Sequence, residues 1–367
     1  MPDAIVVGGG VMGLAVAREL ARAGRQVTLL ERAQPGRAAS WASAGIIGAT
    51  TRDESDPGYH LRAVSHRLWP ALAQALTDES GLDPEYREMG CLYLATDEAE
   101  LAWLQRLANR ATDGPQRTQF VDQQALRTEE PSVGEGVLGA LSVSGGNVEP
   151  RRLCRALEIA VRRAGVEVRT GVEVLEICQA GGHVTGVATR DDNLAADLVV
   201  LAAGAWSGGV RGVAPAVPVR PQRGQILALD QARVAVRHVL MTAGDPYFVP
   251  RCDGRLVVGA TREEAGWDAS LTAAGIAWLL NRAMQVVPAL AECPIAEMWT
   301  GFRPMSEDGV PIIGPGAVDG LYVLTGHGPS GISPMPGSIA LLMALIQGTQ
   351  PPLPPEPFNP ARFGSDR

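Results

Sequence analysis

The sequence predicts an α/β protein in which two domains are interleaved along the chain. Three observations predict this fold. A β-rich run, a glycine turn, a helix-like stretch and a second β-rich run follow one another in Ala4–Arg32. Patterns of strand, small-residue turn and helix return near residues 145–215 and 300–348. Between these segments, short β-like runs predominate from Val217 to Val258, as is typical of an antiparallel sheet.

The glycine turn of the first unit has the spacing of a dinucleotide-binding motif. Gly8, Gly10 and Gly13 fit G-x-G-x-x-G. In that motif the glycines allow a tight turn, close approach of the backbone to a pyrophosphate, and close packing of helix on strand. The helix predicted from Val11 would direct its N–H groups and positive dipole end at the phosphates.

An acidic residue ends this unit at the position where a residue that binds the ribose is expected. Glu31 ends the second β-rich run, and Arg32 follows it. A carboxylate at this spacing accepts hydrogen bonds from ribose hydroxyls and would repel a 2′-phosphate, which disfavours NADP. The alternative is a glycine-rich turn with a structural role only. The unit alone does not distinguish NAD from FAD.

The remaining elements follow from periodicity and capping residues. Amphipathic helices are predicted over Gly58–Leu76 and Glu98–Ala111, and a strand over Gly90–Thr96. Val148–Gly165 is predicted as a helix that starts near a proline and ends at a glycine. The sequence Ala196–Gly209 is typical of a buried strand that ends in a small-residue turn.

These elements divide the chain into two interleaved domains and a tail. We expect a Rossmann-like nucleotide-binding domain from residues 1–50, 145–215 and 300–348. An α+β substrate domain, built on an antiparallel sheet, would comprise residues 51–144 and 216–299. The proline-rich residues 349–367 are expected to form a terminal strap or a disordered tail.

Composition and charge exclude several classes of function. The chain has 367 residues, 46% hydrophobic and 20% charged, which fits a folded globular protein of about two domains. Its formal net charge of −8 argues against a nucleic-acid partner. The longest apolar stretches, such as Ile339–Ile346, are far shorter than the ~20 residues that span a bilayer. No signal-like segment precedes the first strand, so a cytoplasmic location is expected.

The cysteine spacing and the absence of lysine exclude further kinds of site and mechanism. Five cysteines are widely scattered without zinc-like spacing, so we expect buried or half-buried free thiols and no metal site. All 32 basic residues are arginine. The absence of lysine excludes Schiff-base catalysis, a pyridoxal-phosphate linkage and a P-loop lysine.

At this point the sequence resembles the D-amino-acid-oxidase family of FAD enzymes, and within it the glycine oxidases. The resemblance covers roughly Ala4 to Gly348. It rests on the opening motif and on SAGIIGA (Ser43–Ala49), PYFVPR, GRLVVGAT, WTGFRPMSEDGVPIIG and GHGPSGI in that order. It implies FAD as the dinucleotide and a glutathione-reductase-type FAD domain. No lysine is present and no cysteine lies near GHGPSGI, so we expect the FAD to be noncovalent.

The resemblance also implies which residues bind the cofactor. The start of the first helix, with Glu31 and Arg32, would hold the diphosphate and the adenosine ribose. The residues between Ala39 and Ile46 would lie along the phosphate chain and the flavin ring. Val174 would meet the adenine through its backbone, and the segment His327–Ser333 would wrap the pyrimidine end of the flavin. The implied residues are Gly8, Gly10, Val11, Met12, Gly13, Glu31, Arg32, Ala39, Ser40, Ala44, Gly45, Ile46, Val174, His327, Gly328, Pro329, Ser330, Gly331, Ile332 and Ser333.

The last of these groups has a physical rationale of its own. A helix starting near Ile332 would direct its N-terminal amides at the negative charge of a reduced flavin. For His327 the alternative is a packed turn histidine, and a direct catalytic role is not required.

Two residues are expected to bind the substrate. Arg303 in GFRPMS matches the carboxylate-binding arginine of the family, and its planar guanidinium suits a bidentate carboxylate. Tyr247 in PYFVPR matches a tyrosine that lines the substrate cavity. The alternatives are a surface arginine and a half-buried strand tyrosine.

Near the same cavity the chain departs from the family pattern. Pro329 stands where a second arginine is usual, Arg262 replaces a methionine, and Asp245 replaces a histidine. Trp41 adds bulk in the flavin loop. We expect these changes to alter size and charge at the distal end of the substrate. Arg262 either supplies a compensating cation or points to solvent.

The resemblance therefore implies an FAD-dependent oxidase of a small amino acid or amine, such as glycine, sarcosine or a small D-amino acid. Hydride would pass from Cα to flavin N5, and molecular oxygen would accept the electrons and yield hydrogen peroxide. One alternative is a dehydrogenase of the same fold that reduces a quinone or another acceptor. Another is a non-catalytic flavin-binding module. Relatives suggest a homotetramer.

Overall fold

The computed structural model describes residues 2–48, 55–110 and 118–364. Ala49 of the SAGIIGA motif and Ala111 of the second predicted helix lie outside them. The α-helices of the described residues are α1 Val11–Arg22, α2 Ala39–Ala42, α3 Pro57–Ser80, α4 Glu98–Arg110, α5 Gln123–Glu129, α6 Pro150–Arg163, α7 Ala273–Val286 and α8 Met335–Gln347.

The β-strands of the described residues lie between Ala4 and Thr325. They are β1 Ala4–Val7, β2 Val27–Glu31, β3 Ile46–Ile47, β4 Cys91–Ala95, β5 Thr118–Asp122, β6 Gly139–Val143, β7 Gly146–Asn147, β8 Glu167–Thr170, β9 Val174–Ala180, β10 His183–Thr189, β11 Asn193–Ala195, β12 Leu198–Leu201, β13 Val219–Asp230, β14 Val239–Met241, β15 Tyr247–Pro250, β16 Arg255–Gly259, β17 Ile295–Ser306, β18 Ile312–Pro315 and β19 Leu321–Thr325.

A six-stranded sheet carries the predicted nucleotide-binding unit. Its strand order is β18-β19-β12-β1-β2-β8, with parallel pairing from β19 to β8 and an antiparallel edge strand β18. Strands β1 and β12 are buried along their whole length, as expected of a parallel sheet covered on both faces. The carboxyl ends of β1 and β12 therefore open toward the same edge, where a ligand of such a sheet binds.

The turn after β1 is possible only with glycine. Gly8 has φ +104°, and a Cβ there would lie 2.5 Å from the carbonyl oxygen of Ala202 at the end of β12. A Cβ on Gly13 would overlap the carbonyl oxygen of Gly8. The two glycines thus let α1 start directly over the end of β1.

The second sheet has eight strands in the order β17-β13-β16-β15-β14-β4-β6-β5. The predicted antiparallel sheet is confirmed for every neighbouring pair except β4 and β14, which are parallel. This pair joins the two inserted segments, so its direction is set by tertiary packing and has no local sequence signal.

The two sheets confirm the predicted interleaved α/β architecture. Each has its own buried core, with Trp69 the largest fully buried side chain beside the first sheet and Phe248 beside the second. The exact domain boundaries stay a prediction, and β17 spans the predicted boundary at residue 299. Part of the tail packs as a strap, because Phe358 is buried against the first core.

Two further properties concern membranes and thiols. In residues 2–48, 55–110 and 118–364, no helix is long and apolar enough to cross a membrane. Within the same ranges no cluster of three or more His, Cys, Asp or Glu side chains could hold a metal ion. The five cysteines are free thiols, but Cys252 is exposed rather than buried or half-buried, which corrects that expectation.

Candidate active site

A cavity of about 510 Å³ lies between the two sheets. Three segments of the nucleotide-binding part line it: the start of α1, the loop from α2 to β3, and the turn after β19. The second sheet contributes the opposite wall. The predicted site residues that line it are Gly10, Val11, Met12, Ala39, Ser40, Ala44, Gly45, Ile46, Asp245, Tyr247, Arg262, Arg303, His327, Gly328, Pro329, Ser330, Gly331, Ile332 and Ser333.

The start of α1 is suited to an anion. Its N-cap residue Gly10 offers no side-chain cap, and its first turn contains no acidic residue. Ser40 accepts a hydrogen bond of 3.1 Å from the Val11 N–H through its Oγ, which ties the α2 loop to this turn. The positive end of the helix dipole therefore faces the cavity without a protein carboxylate in the first turn.

Glu31 lies beside the glycine turn, outside the cavity lining. Its Oε2 accepts a hydrogen bond of 2.7 Å from the Gly9 N–H, and its Oε1 accepts one of 2.8 Å from the Ala33 N–H. The carboxylate is thus held at the end of β2 by backbone donors.

Four other predicted cofactor residues also lie outside the cavity lining. Gly8 and Gly13 form the turn itself. The Arg32 guanidinium stacks 4.6 Å from the centre of the Trp206 ring and lies 3.9 Å from Glu173, whose neighbour Val174 begins β9. Arg32 and Val174 therefore lie outside the cavity lining, and their contact with the cofactor stays a prediction.

The turn after β19 departs from its prediction in one respect. The long helix begins at Met335 and not near Ile332, because Gly328–Ser330 forms a short 3₁₀ turn and Pro334 is the N-cap residue. The start of α8 has neither a side-chain cap nor an acidic residue in its first turn. Its dipole is therefore available to negative charge near this turn.

His327 is buried and neutral. Its Nε2 lies 3.0 Å from Ser338 Oγ, and this hydroxyl donates to the Pro334 carbonyl oxygen at 2.9 Å. The Ser338 oxygen is left as the acceptor, so His327 donates through Nε2–H. Burial lowers the pKa of His327 to about 3, which makes it an uncharged member of the turn.

Arg303 projects from β17 into the cavity. Its Nη1 donates to the carbonyl oxygens of Thr261, at 2.9 Å, and of Arg223, at 3.4 Å. Within the described ranges no carboxylate forms an ion pair with this guanidinium. Burial lowers its pKa from the ordinary arginine value. The result is a desolvated cation oriented by carbonyl groups and available to an anion.

A buried polar network holds the carbonyl group that orients Arg303. Gln225 donates its backbone N–H to Thr261 Oγ1 at 2.9 Å and its Nε2 to Glu263 at 2.8 Å. Glu263 also accepts from the buried Arg223. The segment that carries Thr261 is therefore fixed to β13.

Tyr247 begins β15 and lines the cavity beside Arg303. Its pKa is raised to about 12 by burial, with Arg303 opposing the rise and Asp245 adding to it. The phenol therefore stays protonated at neutral pH and can donate a hydrogen bond to a bound ligand.

Arg262 makes a direct contact with Asp245, and which of its two expected roles it takes stays a prediction. Its Nε donates to Asp245 Oδ2 at 2.7 Å, while the Arg262 side chain is 58% exposed and that of Asp245 11%. Two of the departures from the family pattern thus form one ion pair at the cavity wall. Pro329 lines the cavity as an uncharged residue.

Trp41 is not among the residues that line the cavity. Its ring packs edge-on against Trp299 at 6.2 Å, and the Arg151 guanidinium lies 3.7 Å from its centre. The side chain therefore joins α2 to β17 and α6.

Arg251 was not predicted from the sequence, although it ends the PYFVPR motif. Its Nη2 donates to the Ala44 carbonyl oxygen at 2.7 Å, and its Nη1 to the Val148 carbonyl oxygen at 2.9 Å. Its Nε lies 3.1 Å from Glu149, and the Arg251 side chain is only 2% exposed. This buried arginine holds the Ala44–Ile46 loop against the second sheet.

Comparison with known proteins agrees with this geometry. The family described as FAD dependent oxidoreductase (DAO) matches residues 3–345. A glycine oxidase of Pseudomonas aeruginosa is 36% identical, with 97% of this chain and 98% of that protein covered.

Two solved structures superpose on nearly the whole of this chain. The crystal structure of glycine oxidase from Geobacillus kaustophilus superposes with a TM-score of 0.92 at 31% identity, covering 98% of both chains. That of iminodiacetate oxidase from Chelativorans sp. BNC1 superposes with a TM-score of 0.86 at 29% identity, covering 97% of this chain and 98% of the other.

Proposed function

Because the chain belongs to the DAO family of FAD-dependent oxidoreductases, we propose that it oxidises a small amino acid or amine to an imino product. Water then converts the imine of a primary amino acid to a 2-oxo acid and ammonia, and that of sarcosine to a 2-oxo acid and methylamine. Glycine, sarcosine and small D-amino acids are the candidate substrates. The cofactor is FAD, and the enzyme class is that of oxidoreductases acting on amino groups.

The residues present fit FAD. The cavity is continuous from the uncapped start of α1, past Ala44 and Ile46, to the turn at His327. We infer that the α1 turn and Ser40 hold the diphosphate, with Glu31 and Arg32 on the adenosine side. The segment from His327 to Ser333 would enclose the flavin ring. When bound, FAD accepts the hydride that leaves the substrate carbon.

The observation that carries the proposal is the state of Arg303. This half-buried guanidinium faces the cavity, and its described partners are two carbonyl oxygens. A cation that is partly withdrawn from water and has no carboxylate partner among the described residues is suited to an anionic ligand. The planar fork binds the substrate carboxylate through two parallel hydrogen bonds and so orients the Cα–H bond.

Tyr247 is the second group that we place on the substrate. Its hydroxyl donates a hydrogen bond and stays protonated at neutral pH, because burial raises its pKa to about 12. Neither residue transfers a proton in this scheme. Both act by positioning the substrate.

The electron acceptor is proposed to be molecular oxygen, with hydrogen peroxide as the product. The same-fold alternative passes electrons to a quinone or another acceptor. Rates of peroxide formation and of dye reduction with one substrate separate the two. Assembly as a homotetramer stays a prediction that light scattering of the purified protein tests.

An anaerobic screen tests the proposal. The yellow holoenzyme is mixed without oxygen with glycine, sarcosine, D-alanine and iminodiacetate, and flavin absorbance near 450 nm is followed. We expect at least one compound to bleach the flavin and, in air, to yield equal amounts of peroxide and of the released amine, which is ammonia from glycine or D-alanine, methylamine from sarcosine and glycine from iminodiacetate. If a broad panel of amines leaves the flavin oxidised, the protein is a non-catalytic flavin-binding module.

A further inference from the structure

Asp245 places a carboxylate in the cavity that the proposed scheme does not use. The residue lines the cavity, and its side chain is 11% exposed. Oδ2 accepts the hydrogen bond from Arg262 Nε at 2.7 Å. Over the described ranges, Oδ1 accepts no hydrogen bond. One carboxylate oxygen is therefore fixed and the other is available.

The backbone at this position lies in the left-handed region. Asp245 has φ +64°, and Glu85 is the other non-glycine residue with positive φ among those described. Asp and Asn adopt this conformation more readily than most other side chains, so the turn suits an aspartate. Two residues later Tyr247 begins β15, so the same turn places both groups at the cavity wall.

Asp245 and Arg303 are opposite charges in one cavity that do not pair with each other. The Arg303 guanidinium is bound to carbonyl oxygens, and the Asp245 carboxylate to Arg262. Both lie near the Tyr247 phenol, which lines the cavity with them. A free amino acid carries the complementary pair of charges, a carboxylate and an ammonium group.

We propose that Asp245 binds the amino group of the substrate, so that the enzyme selects amino acids that enter as zwitterions. This inference rests on the proposed function and names the substrate class of the same site. Arg303 takes the carboxylate and Asp245 the ammonium. A ligand with only one of the two groups loses one charge-assisted contact.

The proposal also predicts the direction in which the pH dependence of the reaction shifts when the Asp245 charge is removed. The bound ammonium must lose a proton to water before its carbon can release a hydride. A nearby carboxylate raises the pKa of that amine, whereas Arg262 and Arg303 lower it. The other charged residues that line the cavity are Arg62 and Glu100, and Arg62 is paired with Asp56 at 2.8 Å. Removing the Asp245 charge should therefore let the amine deprotonate at lower pH.

Asp245→Asn is the test variant, because asparagine keeps the size and tolerates positive φ. The control is Asp308→Asn, whose carboxylate also accepts from an arginine Nε at 2.7 Å but does not line the cavity. Anaerobic flavin reduction by glycine, sarcosine and D-alanine is measured against concentration and pH in both holoenzymes. Acetate, which lacks an amino group, is titrated by its effect on the flavin spectrum.

For Asp245→Asn we expect about a 10-fold or greater rise in the substrate concentration for half-maximal reduction. The pH midpoint of the limiting reduction rate should fall by about 1 unit. Acetate should bind no more weakly than to the unsubstituted enzyme, and Asp308→Asn should change none of these values.

An unchanged half-saturation value and pH midpoint in Asp245→Asn would overturn the inference while leaving the proposed function intact. Equal weakening of acetate and of the amino acids would overturn it too, because the defect would then lie in the carboxylate site. Failure of the unsubstituted enzyme to oxidise any amine would instead reject the proposed function itself.

Discussion

Gly224 of β13 lies against the guanidinium of Arg303, so closely that a Cβ at this position would be 2.6 Å from Nη2 and 2.8 Å from Nη1. The glycine has no positive φ, so its backbone also suits alanine. The absence of a side chain at residue 224 thus creates the space that the Arg303 guanidinium occupies.

Gly224→Ala should therefore displace the Arg303 guanidinium without unfolding the sheet. A shift of about 1 Å in a positioning group costs on the order of 100-fold in rate, and we expect kcat/KM for the best substrate to fall by 10- to 100-fold. Steady-state kinetics and FAD content check this. Gly136→Ala is the control, since a Cβ there meets nothing within 4 Å. Equal kinetics in both variants would remove Gly224 from the account.

Tyr247→Phe should keep the ring and remove the donated hydrogen bond. One such bond contributes about 1 kcal/mol, so kcat/KM should fall by about 5- to 10-fold. Because burial raises the pKa of Tyr247 to about 12, the pH profiles of the variant and the unsubstituted enzyme should coincide from pH 8 to 10. A basic limb that disappears in the variant would show that the phenol ionises in this range.

Arg251→Met should weaken FAD binding, because the Ala44 carbonyl oxygen loses its donor at 2.7 Å. It also removes the nearer of the two arginines that pair with the buried Glu149, and breaking a buried pair costs up to about 3–5 kcal/mol of folding free energy. The FAD dissociation constant and the unfolding midpoint report the two effects. Arg211→Met, which breaks an exposed pair with Glu176, is the matched control and should alter neither.

His327 should make folding stability depend on acid pH. Its folded-state pKa is about 3, below the ordinary histidine value, so the unfolded chain binds a proton that the folded chain does not. The stability that the neutral histidine contributes is fully present above about pH 6.5. It is lost as the pH falls toward 3. Between pH 7 and 5 the loss should be about 2 kcal/mol.

Urea unfolding of the FAD-saturated protein at the two pH values checks this slope. In His327→Gln the corresponding part of the pH dependence should disappear. His183→Gln, which changes a side chain that is 67% exposed, should retain it. A slope that is equal in all three proteins would mean that His327 is not the buried neutral group.

The parts of the site that could be predicted from sequence are those encoded in short segments. The turn of Gly8 to Gly13 and the carboxylate of Glu31 belong to one strand-turn-helix-strand unit, and their geometry follows from local sterics. Arg303 could be predicted because a long motif surrounds it. The late start of α8 could not be predicted from the sequence, because a 3₁₀ turn of three residues and a proline cap have no distinct periodicity.

Contacts between segments that are far apart in the sequence could not be predicted from it. Arg251 gains its role from Ala44 and Glu149, which lie 207 and 102 positions earlier in the chain. The Arg262–Asp245 pair is of the same kind, although one signal existed: both residues depart from the family pattern, with opposite charges. The contacts of Trp41 with Trp299 and Arg151 are of this kind too, because the sequence gives its segment but not the direction of its side chain.

The account depends most directly on Arg303 binding the substrate carboxylate. The deciding measurement is anaerobic flavin reduction against substrate concentration in Arg303→Met, with Arg220→Met, an exposed arginine of β13, as the control. We predict a rise of about 100-fold or more in the half-saturating concentration, with FAD binding unchanged and the control unaffected. Half-saturation equal to that of the unsubstituted enzyme would contradict the account.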